Sequence, residues 1–157
     1  MPANTAAAED RDIRRTWDIL GGDKVFKRPI ASRLDAHDAL AHGLPAGVLK
    51  HLVQEIGLLH ARNDQLEKAI GISLRTFQRR RETNKPLSPE QSNRAWKFAE
   101  ILGRATDILG TQQAAEEWLE RPAMALDRRR PMDLLATQAG VDAVEELLTR
   151  MEYGVYS

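Results

Sequence analysis

The sequence predicts an all-α protein, and three observations point to that fold class. Alanine and leucine are frequent while aromatic residues make up only 5% of the chain, which favours helices. Apolar residues recur at gaps of three and four, which places them on one face of a helix. No segment alternates apolar and polar residues for long enough to predict a strand.

Composition and charge narrow the classes of function. The 23 basic and 23 acidic residues balance, so any affinity for nucleic acid has to come from a local patch. The chain of 157 residues has no cysteine, which excludes disulfides and thiolate ligands for a metal. The N-terminus has no basic start followed by an apolar run, and no segment approaches about 18 consecutive apolar residues. We therefore expect a cytoplasmic protein without a membrane partner.

The N-terminal segment gives the weakest pattern. Residues 1–12 are small and polar without an apolar stripe, so we expect them to be disordered, and residues 1–30 as a whole to be weakly structured. A first helix is predicted near 9–20, and its apolar face would carry Ile13, Trp17 and Leu20. The sequence GGDK interrupts this helix and lacks the residues of a phosphate-binding loop.

Two short helices are predicted next, over 34–43 and 45–57. Gly43 and Pro45 separate them, and Gly57 is expected to end the second. The apolar positions at helical spacing in the second helix are Val48, Leu49, Leu52, Val53 and Ile56.

A helix-turn-helix pattern follows. A helix at 63–70, a glycine turn and a second helix at 74–82 stand in succession. Asn63 or Asp64 is expected to cap the first helix, and Ser73 to cap the second, by accepting a backbone N–H bond.

The second helix of this pattern has an apolar side and a basic side. Leu74 and Phe77 lie three residues apart, and the stem of Arg81 continues their line. The other side offers residue types that read base edges in the major groove, because Arg pairs with guanine, Gln pairs with adenine and a Thr methyl contacts thymine. The candidate DNA-binding residues are Arg75, Thr76, Gln78, Arg79 and Arg80.

Two interpretations of this basic helix stay open. Between residues 73 and 85, five basic residues against one acidic residue give a local net charge of +4 in a neutral chain. A run of arginines is most often only the solvated face of a helix. The preceding helix, the glycine turn and the capping serine favour a DNA-binding module by descent.

A long helix is predicted from Ser88 onwards, where the sequence SPE is typical of a helix start. Its apolar positions, at gaps of three and four, are Ala95, Phe98, Leu102, Ala105 and Leu109. This face suits packing within the monomer or self-association, and the sequence does not decide between them.

Three shorter helices are predicted after the long one. Thr111 begins the first, which ends before Pro122, Pro131 lies in the first turn of the second, and Thr137 caps the last. Gly154 is expected to end the last helix. Its apolar stripe consists of Val141, Val144, Leu148 and Met151.

Several of these segments together resemble one protein family. The matching features include Trp118-Leu119, the box RRPMDLLAT, Gly140, the terminal RMEYGVYS, and the segments RTFQRRR and KPLSPEQS. The stretch from about residue 60 to the end is similar to antitoxins of the Xre/MbcA/ParS type, the bacterial partners of RES-domain toxins. The resemblance implies a Xre/Cro-like helix-turn-helix domain at 31–92, followed by a small helical domain for dimerisation and toxin binding at 93–157.

The resemblance also implies a function. Antitoxins of this family are homodimers that inhibit a NAD-consuming RES-domain toxin, encoded by the adjacent gene, by covering the route to its NAD pocket with their C-terminal region. Their helix-turn-helix implies operator DNA as a second partner, and with it repression of their own operon. The resemblance implies no cofactor.

The candidate toxin-binding residues combine arginines with the end of the chain. Arginine pairs bidentately with carboxylates, and a tyrosine can fill a cleft while its hydroxyl finds a polar partner. The candidates are Arg128, Arg129, Arg130, Arg150, Tyr153, Gly154, Val155, Tyr156 and Ser157. The alternatives are that the chain end is simply frayed, and that Asp133 only stabilises a helix start by its charge.

Two other classes of function are the alternatives to an antitoxin. A free-standing helix-turn-helix repressor would use the C-terminal domain only to dimerise. An enzyme would need an assembled site, but the spacing of the four histidines gives them no shared site, and Ser73 and Ser88 have the positions of helix caps. We therefore predict no catalytic residue and no metal site.

Overall fold

The computed structural model describes residues 2–61, 64–80 and 82–154, and it confirms the prediction of a helical fold. The α-helices, in chain order, are α1 (Pro2–Ile19), α2 (Arg33–His42), α3 (Gly47–Glu55), α4 (Gly57–Ala61), α5 (Gln65–Ile70), α6 (Leu74–Arg80), α7 (Pro89–Leu109), α8 (Gln112–Glu120) and α9 (Gln138–Glu152). Short 3-10 helices cover Gly22–Lys24, Met124–Leu126 and Pro131–Leu134. The described part of the chain has no β-strand, and no helix in it is both long and apolar enough to cross a membrane.

The N-terminal segment corrects the prediction. Residues 2–12, expected to be disordered, lie in α1. The physical reason is tertiary packing, which stabilises helices that are marginal alone. Trp17 is only 5% exposed, and α1 approaches α7 so closely that a Cβ on Gly103 would lie 2.5 Å from Nε of Arg15. The alanines at 6–8 add a high helix propensity at the start.

The next two predicted helices are present with shifted ends. α2 begins after Ser32, whose hydroxyl accepts a hydrogen bond from the backbone N–H of Asp35 at 3.1 Å. α3 ends at Glu55, and the chain then starts the separate helix α4 at Gly57, where the sequence predicted a stop.

α7 forms the centre of the fold, since it packs against α1, α2, α5, α8 and α9. Its predicted start at Ser88 is confirmed. Ser88 Oγ accepts from the backbone N–H of Gln91 at 3.0 Å, and Gln91 Oε1 accepts from the N–H of Ser88 at 3.1 Å. The predicted domain boundary between residues 92 and 93 falls inside this helix.

The apolar face of α7 is used inside the monomer. Ala95, Phe98, Leu102 and Ala105 are fully buried, and only Leu109 at the end is partly exposed, at 36%. The open choice between core packing and self-association is thereby settled for this face. A homodimer would have to use another surface.

The C-terminal caps lie where the sequence predicts them. Thr111 accepts from the N–H of Ala114 at 3.1 Å and Thr137 from the N–H of Gly140 at 3.0 Å. Pro131 begins a 3-10 helix instead of an α-helix. The stripe of α9 faces the core, with Val141, Val144 and Leu148 buried and Met151 partly buried.

Gly140 marks a close approach that gives a first prediction. A Cβ on this residue would lie 2.0 Å from the carbonyl oxygen of Leu134. Gly140→Ala would push the start of α9 away from the preceding 3-10 helix, so we expect the free energy of unfolding to fall by about 1–3 kcal/mol in urea titrations.

Gly57→Ala is the matched control for Gly140→Ala. It is also a helical glycine, but a Cβ there would meet its nearest atom, Glu116 Oε1, only at 3.6 Å. We expect a change within about 0.5 kcal/mol. Equal effects of the two substitutions would contradict the close approach at Gly140.

Candidate functional site

The first candidate surface is the helix-turn-helix formed by α5 and α6. Gly71 ends α5 with a φ of 80°, the left-handed region that favours glycine, and Ser73 Oγ accepts from the N–H of Thr76 at 3.1 Å. The predicted cap at Ser73 is therefore confirmed. Asp64 precedes α5 without a capping side-chain bond, and Asn63 lies outside the described residues.

The basic side of α6 faces solvent. Arg75, Gln78 and Arg79 are exposed, whereas Thr76 and Arg80 are partly buried. The opposite side packs inward, because Phe77 is only 8% exposed. The structure thus brings all five candidate DNA-binding residues onto one helix, and the assignment of Arg81 falls outside the described residues. Three of the five are openly accessible to a partner.

Arg80 is oriented by a contact that the sequence does not reveal. Its Nη1 donates to Gln91 Oε1 at 2.9 Å, which ties the end of α6 to the start of α7. A guanidinium has five N–H donors, so the remaining ones stay available to a ligand.

Arg94 of α7 holds the turn of the helix-turn-helix from behind. Its Nη2 donates to the carbonyl oxygen of Lys68 at 2.8 Å, and its Nη1 would lie 2.8 Å from a Cβ on Gly71. Burial lowers the pKa of Arg94 below its usual value. Sequence reasoning missed this residue because its contact spans 26 positions.

The second candidate surface is the loop between α8 and α9. The N–H of Ala123 donates to the carbonyl oxygen of Arg129 at 3.1 Å, and the N–H of Arg128 donates to the carbonyl oxygen of Ala123 at 2.9 Å. These two hydrogen bonds close the loop on itself. Asp127 and Arg128 have backbone φ angles of 53° and 65°, in the left-handed region that residues other than glycine rarely adopt. This strained turn presents Arg128 and Arg129 to solvent. Such strain clusters at functional sites.

A shallow apolar groove of about 250 Å³ lies beside this loop. Its lining residues come from α8, from the turn after it and from α9, and they are Trp118, Arg121, Pro122, Ala123, Met124, Leu147 and Met151. Met124 is 69% exposed, and Tyr153, two residues after Met151, is 77% exposed. Sequence reasoning did not single out Met124, because it begins a short 3-10 helix that has no apolar stripe of its own.

Arg130 and Arg150 are paired within the chain. Arg130 donates from Nε and Nη2 to the two carboxylate oxygens of Asp133, both at 2.9 Å. Arg150 Nη2 donates to Glu146 Oε1 at 2.8 Å. The assignment of these arginines to toxin binding stays a prediction. A partner that contacts them would have to share or replace their pairs with Asp133 and Glu146.

Asp133 links the loop to the helix-turn-helix. Lys68 Nζ of α5 lies 3.6 Å from its Oδ1. The hydrogen bonds from Arg130, then the positive charges of Arg130 and Lys68, hold the pKa of the Asp133 carboxyl below its usual range. Asp133 therefore does more than stabilise a helix start by its charge.

Two more polar contacts join α8 to the helices before α6. Gln65 Nε2 donates to Glu120 Oε1 at 2.5 Å, and the N–H of Leu58 donates to Glu116 Oε1 at 2.7 Å. The helix-turn-helix and the C-terminal helices therefore pack on each other.

The end of the chain is described only as far as Gly154. Gly154 has a φ of 74°, so α9 stops close to the predicted position. The candidates Val155, Tyr156 and Ser157 lie outside the described residues. Within the described ranges, no group of His, Cys, Asp or Glu side chains is arranged to hold a metal ion.

The two parts of the chain match two known domains. Residues 35–100 match the antitoxin Xre-like helix-turn-helix domain, and residues 104–154 match the antitoxin Xre/MbcA/ParS C-terminal toxin-binding domain. Both matches extend into α7.

Similar proteins carry names of the same kind. Antitoxin Xre of Pseudomonas putida is 31% identical over 125 residues, which cover 80% of this chain and 76% of that protein. Antitoxin Xre of Yersinia enterocolitica is 34% identical over 94 residues, 59% of this chain and 64% of that protein. A Sphingobium protein named Prs ADP-ribosylating antitoxin is 26% identical over 136 residues, 81% of this chain and 84% of that protein.

The Asp133 pair gives a prediction on stability and pH. Because the pKa of Asp133 is lowered in the folded state, its contribution is present above the unfolded pKa of about 3.9 and is lost as the pH falls through the lower folded value. Asp133→Asn should lower the free energy of unfolding by about 0.5–1.5 kcal/mol at pH 7, a modest effect because the side chain is 35% exposed. The difference from the unsubstituted chain should shrink below about pH 4.

Glu146→Gln is the control for Asp133→Asn, since it removes the exposed pair with Arg150 one turn away on α9. We expect a loss of no more than about 0.5 kcal/mol. A difference between Asp133→Asn and the unsubstituted chain that persists unchanged at pH 3 would contradict the role of the carboxylate.

Proposed function

The chain belongs to the Xre family of antitoxins, and from that premise we propose that it neutralises a NAD-consuming RES-domain toxin encoded by the adjacent gene. In this proposal the chain acts as a homodimer, and its C-terminal region covers the route to the NAD pocket of the toxin. The observation that carries the proposal is the match of residues 104–154 to a toxin-binding domain. These residues contain the loop between α8 and α9, with its exposed Arg128 and Arg129, and the apolar groove beside it.

The chemistry of this surface fits a protein partner. An exposed methionine beside a partly buried tryptophan offers adaptable apolar contacts, and Tyr153 adds an aromatic ring with a polar tip. Arg128 and Arg129 next to them can pair with carboxylates around a cleft. The name of the Sphingobium relative joins an antitoxin to ADP-ribosylation, a chemistry that draws on NAD.

We also propose that α6 binds the operator DNA of the same operon and represses it. The support is the exposure of Arg75, Gln78 and Arg79 on a helix that a turn and a cap hold in the helix-turn-helix arrangement. A free-standing repressor is less well supported, because it would leave the matched toxin-binding domain without a partner.

Removing residues 153–157 tests the role of the chain end in neutralisation. The buried stripe of α9 stays in place and Tyr153 is 77% exposed, so the shortened chain should fold and still co-purify with the toxin. Inhibition depends on atoms placed in the route to NAD, so NAD consumption by the purified complex should rise by about ten-fold or more. This rise corresponds to a loss of at least about 1.4 kcal/mol in the free energy of inhibition.

The control for the truncation is the double substitution Arg75→Ala/Arg79→Ala, which should leave protection from the toxin intact. Arg80 is left out of this control because it contacts Gln91. If the shortened chain protects cells as well as the full-length chain does, the chain end is not the inhibitory element. Arg128 and Arg129 are then the next residues to replace.

The same arginines test the binding of DNA. Affinity for the promoter should weaken with salt, with a log–log slope of about −0.9 for each neutralised phosphate. Arg75→Ala or Arg79→Ala should cost about 1–3 kcal/mol if the side chain reads a base. An unchanged gel shift of the double variant, alone and in complex with the toxin, would remove α6 from recognition.

A further inference from the structure

A small basic pocket of about 110 Å³ lies between the start of α3 and the loop that follows α6. Its lining includes the buried apolar side chains of Leu49, Phe77 and Leu87. Lys50, Arg80 and Lys85 are among its lining residues, and none of the described residues that line it carries a carboxylate. The sequence placed Arg80 and Lys85 in one basic segment, but it did not connect Lys50 with them, because Lys50 is distant along the chain.

The surroundings of these three cations bear on what the pocket can bind. No ion pair between described residues involves any of them. Lys50 and Lys85 are exposed, and the Arg80 side chain donates a hydrogen bond to Gln91, a neutral acceptor. Like charges held around one cavity repel each other, so a bound anion would lower the electrostatic energy.

The walls of the pocket are held in place by the backbone. The N–H of Leu87 donates to the carbonyl oxygen of Leu44 at 2.9 Å, and Gly43, with a φ of 103°, packs so tightly there that a Cβ would lie 2.3 Å from the oxygen of Leu87. At the other end of the loop, the N–H and the hydroxyl of Thr83 both donate to the carbonyl oxygen of Arg80, at 3.1 and 3.0 Å. A site fixed at both ends loses little entropy when a ligand binds.

We propose that this pocket binds a phosphate group, and that the group is a phosphodiester of the DNA backbone beside the bases that α6 contacts. The inference rests on the proposed DNA binding by α6, because Arg80 is the last residue of the helix that exposes Arg75 and Arg79. Lysine acts as a point charge towards phosphate, and arginine donates several hydrogen bonds to it. Such contacts fix the register of a protein on the duplex without reading its sequence.

Lys50→Gln and Lys85→Gln test the pocket in the full-length protein. Each substitution should make the slope of log affinity against log salt shallower by about 0.9. A variant that binds as well as the unsubstituted protein at 1 M salt should therefore bind about five-fold more weakly at 0.15 M salt. The loss should be equal for promoter DNA and for unrelated DNA, because a backbone contact carries no sequence information. Both lysines are exposed, so unchanged circular dichroism and melting temperature should accompany the loss.

Arg14→Gln is the matched control, because Arg14 is an exposed cation of α1 that does not line the pocket. Its effect on the salt slope should be clearly smaller than that of Lys50→Gln. Equal slopes for the unsubstituted protein and for the Lys50→Gln/Lys85→Gln double variant would overturn the proposal.

An NMR titration with inorganic phosphate separates the possible sources of the anion. Shifts of the amides at 47–50, at 83–85 and at 87 that are absent from the double variant support a phosphate site. The same shifts together with unchanged DNA binding would show a site for free phosphate and overturn the assignment to the DNA backbone. If the unsubstituted protein binds no DNA, the proposed repression fails, and the titration alone decides whether the pocket binds phosphate.

Discussion

The packing of α7 against five other helices is the constraint on which the rest of the structure depends. Nine of its residues are buried, from Ser92 near its start to Ala105 in its last turns. A helix buried on several sides needs small residues where its neighbours come closest, and Gly103 provides such a position for α1. The positions of both candidate surfaces depend on this helix, because its start is hydrogen-bonded to the end of α6, and α8 and α9 pack against it.

The helix-turn-helix and the toxin-binding region are therefore not independent modules on a linker. Gln65 is fully buried and donates to Glu120, and Lys68 reaches Asp133. A buried amide that loses its partner costs about 1–3 kcal/mol, so these contacts specify one arrangement of α5 against the C-terminal helices even where their net contribution to stability is small. A domain boundary drawn between residues 92 and 93 would cut through the helix that both parts share.

Sequence reasoning succeeded for four helix caps, whose signal is local. The caps at Ser73, Ser88, Thr111 and Thr137 depend on residues three positions away, and each is present in the structure. It failed for residues 2–12, whose helix depends on packing against α7, about 90 positions further along the chain. The pair of Lys68 with Asp133 and the pocket around Lys50 were equally out of reach, because no periodicity links residues that only the fold brings together.

The arginines show most clearly what the structure adds to the sequence. Arg80, Arg94 and Arg130 each make hydrogen bonds that hold helices or turns together. A second group is exposed and takes part in no ion pair between the described residues, and it includes Arg75, Arg79, Arg128 and Arg129. In the sequence the two groups stand side by side, as in RTFQRRR and DRRRP, and residue type alone cannot separate them. An exposed arginine without a partner contributes little to stability, so substitutions in the second group report on binding, whereas substitutions in the first group change the fold as well.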